Sequence, residues 1–134
     1  MRKWNLPLTY APKIQAVRDG TCRQTIRMVG KAGRKNVGDL VSFHGYKNGR
    51  GTPWTWRTEY TPLTEVHEID INAVGIKTYG FDGYPAEFYL WKELDVLAQK
   101  DGIEYGTGVM LGRVLNSMKK LPTLGGVEAQ VLRW

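Results

Sequence analysis

GTCRQTIRMV, residues 20–29, sets a glycine ahead of a run in which Arg23, Thr25 and Arg27 alternate with Gln24, Ile26 and Met28. A period of two is the mark of a β-strand, because successive side chains point to opposite faces of a sheet. The stretch is therefore read as a strand with one polar face. Immediately upstream, PKIQAVRDG (12–20) reads as a short helix: Pro12 suits a first turn, Ile14 and Val17 lie three apart, and Gly20 supplies the stop. A strand entered straight from a helix stop makes the fold mixed from the outset.

Working outward, WNLPLTY (4–10) has strand-forming residues, with Pro7 restricting it to an edge or a strand end. GKAGRKNVGD (30–39) is a basic, glycine-rich loop, and LVSFHGY (40–46) is a second strand. KNGRGTP (47–53) is a turn around Asn48-Gly49. WTWRTEYTPLTEVHEIDI (54–71) is β-prone, with Pro62 at a bend or edge, and YGFDGY (79–84) places a hairpin turn at Asp82-Gly83. Apolar spacings of three and four through Phe88, Trp91, Leu94 and residues 96–98 predict one helix over residues 85–102. TGVMLGRVLNSMKKL (107–121) predicts another, with Val109, Leu111, Val114, Leu115 and Met118 on one side, and VEAQVLRW (127–134) a last strand. The elements imply an α+β fold, one domain over residues 1–134. Its sheet is expected to curl into a small barrel of five or six strands, with two or three helices packed on it.

The 134 residues suffice for one core, and 42% hydrophobic with 24% charged residues is the composition of a folded chain. No apolar run approaches the roughly 20 residues of a membrane span, and the first residues lack the apolar stretch of a secretory signal. A membrane partner is not expected. The single cysteine, Cys22, rules out an internal disulfide and a cysteine-rich metal cluster, so a reducing cytoplasmic compartment is expected, with no metal and no cofactor. The net charge of +6 is unevenly spread. Residues 1–57 carry twelve Lys and Arg against Asp19 and Asp39, and the remainder seven against eleven acidic residues. Such asymmetry points to a polyanion such as RNA, or to an acidic protein partner.

Two groups of residues carry candidate chemistry. Arg23, Thr25 and Arg27 share one strand face, where arginine forks can grip phosphates or base edges and a hydroxyl can bond the same ligand. Trp54 and Trp56 alternate beside Arg50 and Arg57, with Arg34 and Lys35 in the basic loop; aromatic side chains among cations hold single-stranded nucleic acid. The alternatives are a solvated strand face and tryptophans that fill the core. Cys22 reads as a small buried apolar residue, although arginines nearby could lower its pKa.

The order of a helix, Gly20, a T-x-R strand (Thr25, Arg27), Gly38-Asp39 opening a second strand, and A-x-x-D-G-I (98–103) between two helices resembles the ASCH domain, a branch of the PUA-like superfold. The resemblance covers nearly the whole chain through short motifs. It implies a barrel with a cleft beside a G-x-K-x-x-T-x-R motif that binds RNA or modified nucleosides; some members are ribonucleases and some hydrolyse acetylated cytidine. In the latter a lysine, the threonine and an acidic residue form the catalytic group. Here these positions are Cys22, Thr25 and Asp101, so the amine is missing and Arg23 beside it is a poor proton acceptor. The expectation is a binding module for RNA or a modified nucleoside, with Thr25, Arg27 and Asp101 as the catalytic set if the chain is a hydrolase. A ribonuclease fits better than acetylcytidine amidohydrolase.

Overall fold

A computed structural model describes residues 1–48 and 51–134. Strand β1 (Lys3–Pro7) leads into helix α1 (Ala11–Arg18), and the alternating stretch forms β2 (Gln24–Met28). Then follow β3 (Leu40–Tyr46), β4 (Trp54–Arg57), β5 (Thr61–Pro62), β6 (Glu65–Ile71), β7 (Gly75–Thr78) and β8 (Phe88–Leu90). Helices α2 (Asp95–Lys100) and α3 (Gly108–Met118) precede β9 (Val127–Arg133). The fold is α+β, as expected, but the strands do not close into a barrel. They make two open sheets, a four-stranded one ordered β1-β3-β4 with β5 also on β3, and a five-stranded one ordered β2-β9-β6-β7-β8.

The connection between β1 and β3 explains the opening. These two strands pair in parallel, Lys3 opposite Leu40 through Pro7 opposite His44, and a parallel pair needs a long crossover. The crossover holds α1 and β2, and β2 joins the other sheet through β9. β1 and β2 therefore both remain edge strands. Asp39 fastens the return: its carboxylate accepts from the Trp4 indole N–H at 3.0 Å and from the Arg2 and Asn36 backbone N–H groups.

Each side of the five-stranded sheet has its own core. Ile26, Ile69, Ile71, Ile76 and Val131 pack against Leu94 and Leu97 of the α2 region and Leu111 and Leu115 of α3. On the other side Leu132 and Val66 meet Trp4, Leu6, Val41 and Phe43 of the first sheet and Val17 of α1. Within α3, Gly112 lets the Trp91 ring lie on the helix, since a Cβ there would stand 2.6 Å from the indole. Val109 and Met118, expected on the buried side of α3, are exposed.

The expected helix over residues 85–102 is only partly formed. Phe88–Leu90 instead pairs as β8 against Gly75–Lys77, and a 3₁₀ turn over Trp91–Glu93 leads into the short α2. A Cβ on Gly75 would meet the Tyr89 carbonyl at 1.9 Å, so this glycine permits a close strand pair where β-prone Phe88 and Tyr89 arrive. The Asp82-Gly83 turn forms as read, both residues having positive φ and bridging Phe81 to Tyr84. The Asn48-Gly49 turn lies partly outside the described residues.

Asp82 also ties the turn to β9. Hydrogen bonds from the Arg133 guanidinium, joined by Lys100, hold its carboxyl down at about 2. A carboxyl lowered on folding adds stability above its unfolded pKa of 3.8, and that stability is lost as pH falls through about 2. Asp82→Asn keeps the turn residue's tolerance of positive φ but removes the charge. Urea unfolding at pH 7 should show it about 1–2 kcal/mol less stable, after allowance for solvent screening, with a flatter stability profile between pH 4 and 2.

Candidate functional site

A cleft of about 430 Å³ runs along the open edge of β2, where a closed barrel would have placed another strand. Pro7–Tyr10 and Tyr46 bound it from the first sheet, Thr25–Met28 from β2, and Lys13 from α1. Asp101 and Ile103 enter from the loop after α2, and Val114, Leu115 and Met118 from α3. Its size suits a drug-sized or nucleoside-sized ligand, and its walls combine apolar side chains with a few polar groups.

The polar groups meet from different elements. Lys13 lies one turn before Val17 on the inward side of α1, and its ammonium donates to Asp101 Oδ2 at 3.1 Å, both side chains being 5% exposed. Asp101 Oδ1 accepts from the Gln24 amide at 3.2 Å, and that amide also donates to the Leu97 carbonyl. Burial pushes the Asp101 carboxyl above the usual carboxylate range, opposed by Lys13, Gln24 and the field of Arg27. Arg27 donates from Nε to Thr25 Oγ1 at 3.3 Å and from Nη2 to the Pro7 carbonyl at 2.7 Å. Burial lowers the guanidinium to about 10, which leaves it charged at neutral pH. The result is a fixed cation beside a hydroxyl, and a buried ion pair, in one cleft.

The expected site is thus partly assembled and partly redistributed. Thr25 and Arg27 do share a face and line the cleft. Asp101 lines it too, yet its hydrogen bonds go to Lys13 and to Gln24, on the opposite face of β2, rather than across to Thr25 or Arg27. Asp101 ends α2 and is buried. Arg23 lies ahead of β2, is exposed, donates to the Trp134 carbonyl oxygen at 2.6 Å and borders a separate hollow with Gly20. Cys22 is buried, and burial raises its thiol, which disfavours the thiolate a nucleophile would need.

The basic face is also thinner than the sequence implies. Arg34 is engaged by Glu68 and Glu128, each at 2.9 Å, and Lys35 is buried with its ammonium 4.3 Å from the centre of the Trp4 ring. Trp56 packs on the core with Arg18 over its ring, and Arg50 lies outside the described residues. Trp54 is 43% exposed and Arg57 stays at the surface beside it. Lys13 and Gln24 are the residues sequence reading missed. The four-residue spacing of Lys13 and Val17 marked them as neighbours on one helix face, but a lysine there reads as solvated until Asp101 is known to meet it.

No family model, curated protein or solved structure matches this chain. Among the described residues no cluster of His, Cys, Asp and Glu is arranged to hold a metal ion, and no helix is long and apolar enough to cross a membrane.

Proposed function

We propose that the chain is an ASCH-like, PUA-related domain whose cleft binds a nucleoside, free or within RNA. The observation that carries this reading is the convergence of Lys13, Thr25, Arg27 and Asp101 on one cleft with an otherwise largely apolar lining. Apolar walls take the faces of a heterocycle, while the Arg27 guanidinium and Thr25 hydroxyl offer donors to its carbonyl and ring-nitrogen acceptors. The T-x-R strand and the A-x-x-D-G-I segment that prompted the resemblance supply three of the four polar groups. The reading needs no proton acceptor, so cysteine at the motif lysine position does not count against it.

A second reading, hydrolysis of an acyl amide on the bound base, is favoured by one observation. Lys13 brings to the cleft, from α1, the amine that Cys22 lacks. In this reading a proton passed from Lys13 to Asp101 along their 3.1 Å hydrogen bond would free the amine to draw the proton from the Thr25 hydroxyl. The threonine oxygen would then attack the acyl carbon, with Arg27 stabilising the oxyanion. Collapse would break the C–N bond as Lys13 returns the proton to the departing amine, and water would then cleave the acyl-threonine ester to release the carboxylic acid and restore Thr25. Calorimetric titration with cytidine and acetylated cytidine, followed by chromatography of the mixture, tests both. Saturable binding is the expected result, and cytidine released from the acetylated form adds the hydrolase. No heat at millimolar nucleoside contradicts the reading.

A further inference from the structure

Outside the cleft, the outer side of the first sheet carries a run of cations and rings in which His44 is buried against Trp54. The Lys3 ammonium lies 5.2 Å from the centre of the Tyr60 ring, and Arg57 lies 5.2 Å from Tyr60 and 5.5 Å from Trp54. Trp54 stacks on His44 with ring centres 3.8 Å apart and planes 16° from parallel. His44 in turn meets Tyr46 edge-on at 5.0 Å, and Tyr46 borders the cleft. The register accounts for the line: His44 pairs with Arg57 and Tyr46 with Trp54 across β3 and β4.

His44 is the buried member of this run. It is 2% exposed, and neither imidazole nitrogen has a hydrogen-bond partner among the described residues. Burial, then the fields of Arg27 and Arg57, hold the ring below its ordinary pKa, so it is a neutral imidazole with one donor and one acceptor left unmatched. Such groups are costly to bury unpaired in a structure that satisfies nearly all its polar atoms. The cations of the run are not cancelled either. Among the described residues Arg57 bonds only the Ser42 hydroxyl, at 3.5 Å, and neither it nor Lys3 has a carboxylate in ion-pair contact, whereas Arg34 is taken up by two glutamates.

We infer that this run is the track of a single-stranded RNA, the nucleotides flanking the base in the cleft stacking on Trp54 and Tyr60 while Arg57 and Lys3 meet their phosphates. The inference rests on the cleft being a base pocket and gives its ligand a class: a nucleotide within a strand rather than a free nucleoside. Every base offers a face to an aromatic ring, so the track is tolerant of sequence, and discrimination belongs to the cleft. A duplex cannot use it, because paired bases present no free faces.

The test compares cytidine, a fluorescein-labelled six-nucleotide RNA of mixed sequence that includes cytidine, and its duplex. The hexamer should bind at least 100-fold more tightly than the nucleoside and far more tightly than the duplex. With about two phosphates met, the logarithm of its affinity should fall with that of salt at a slope near −1.4. Trp54→Ala should weaken the hexamer about 10-fold, leave cytidine unchanged and be rescued by Trp54→Phe. Thr25→Ala should weaken both ligands. Equal affinity for hexamer and nucleoside, or indifference of the hexamer to Trp54→Ala, overturns the track while leaving the pocket standing. Hexamer binding that responds to Trp54 but not Thr25, with no nucleoside binding, overturns the pocket instead.

Discussion

Lys13→Met should be among the most destabilising single changes in the chain, by about 3–5 kcal/mol, because it leaves the Asp101 carboxylate buried without its cation. Methionine fills the space of the lysine stem, so the loss reports charge rather than volume. The double variant Lys13→Met/Asp101→Asn, with neither charge, should recover most of that loss, and urea unfolding of the four proteins completes the cycle. pH supplies an independent sign. Removing Lys13 takes away the main group opposing the burial of Asp101, so its folded pKa climbs further above 3.8. A carboxyl raised on folding binds its proton more tightly in the folded state, and stability falls as pH rises from the unfolded toward the folded pKa. Lys13→Met should therefore regain stability when taken from pH 7 to pH 5. A loss that stays constant over that interval would mean that Asp101 is not the group left exposed to the low dielectric.

The second large effect is on the ligand. Arg27→Met removes the charged donor that stands beside Thr25, and a hydrogen bond to a charged group is worth about 1.5–3 kcal/mol, so nucleoside affinity should fall roughly 10- to 150-fold. Thr25→Val keeps the shape of the side chain but loses the hydroxyl, and should lower affinity by about 5- to 10-fold. Thr25→Ser, which keeps the hydroxyl, should bind nearly as the parent does. If the cleft also hydrolyses acetylated cytidine, Thr25→Val should abolish turnover, Thr25→Ser should retain it, and Lys13→Met should lose it even at a temperature where the variant is folded. Affinity unchanged in both Arg27→Met and Thr25→Val would place the ligand elsewhere.

What could be read in advance follows from the range of the interactions concerned. The alternation in residues 20–29 is local, and so is the chemistry of the Asp82-Gly83 turn; both appear as read. Thr25 and Arg27 share a face for the same reason. The helix expected over residues 85–102 failed because a period through Phe88, Trp91 and Leu94 says which residues are apolar, while pairing of Phe88–Leu90 with Gly75 and its neighbours is decided by a strand ten or more residues away. The barrel failed at the same level. Nothing local says that β1 pairs with β3 in parallel and leaves β2 at an edge, and that choice opens the cleft. The Lys13–Asp101 pair spans 88 positions, and the basic loop loses Arg34 and Lys35 to partners far along the chain or to burial. Residue types on one strand were legible, whereas the companions that give them a role come from tertiary contacts.

The measurement that bears most directly on the cleft as a nucleoside site is a nitrogen–proton NMR titration of the assigned protein with cytidine and acetylated cytidine. Saturable shifts are expected, confined to the amides of Thr9, Lys13, Thr25–Met28, Asp101 and Ile103, which border the cleft. They should be lost in Arg27→Met. Shifts clustered around Arg23 and Trp134 instead, or none at millimolar nucleoside, would contradict it.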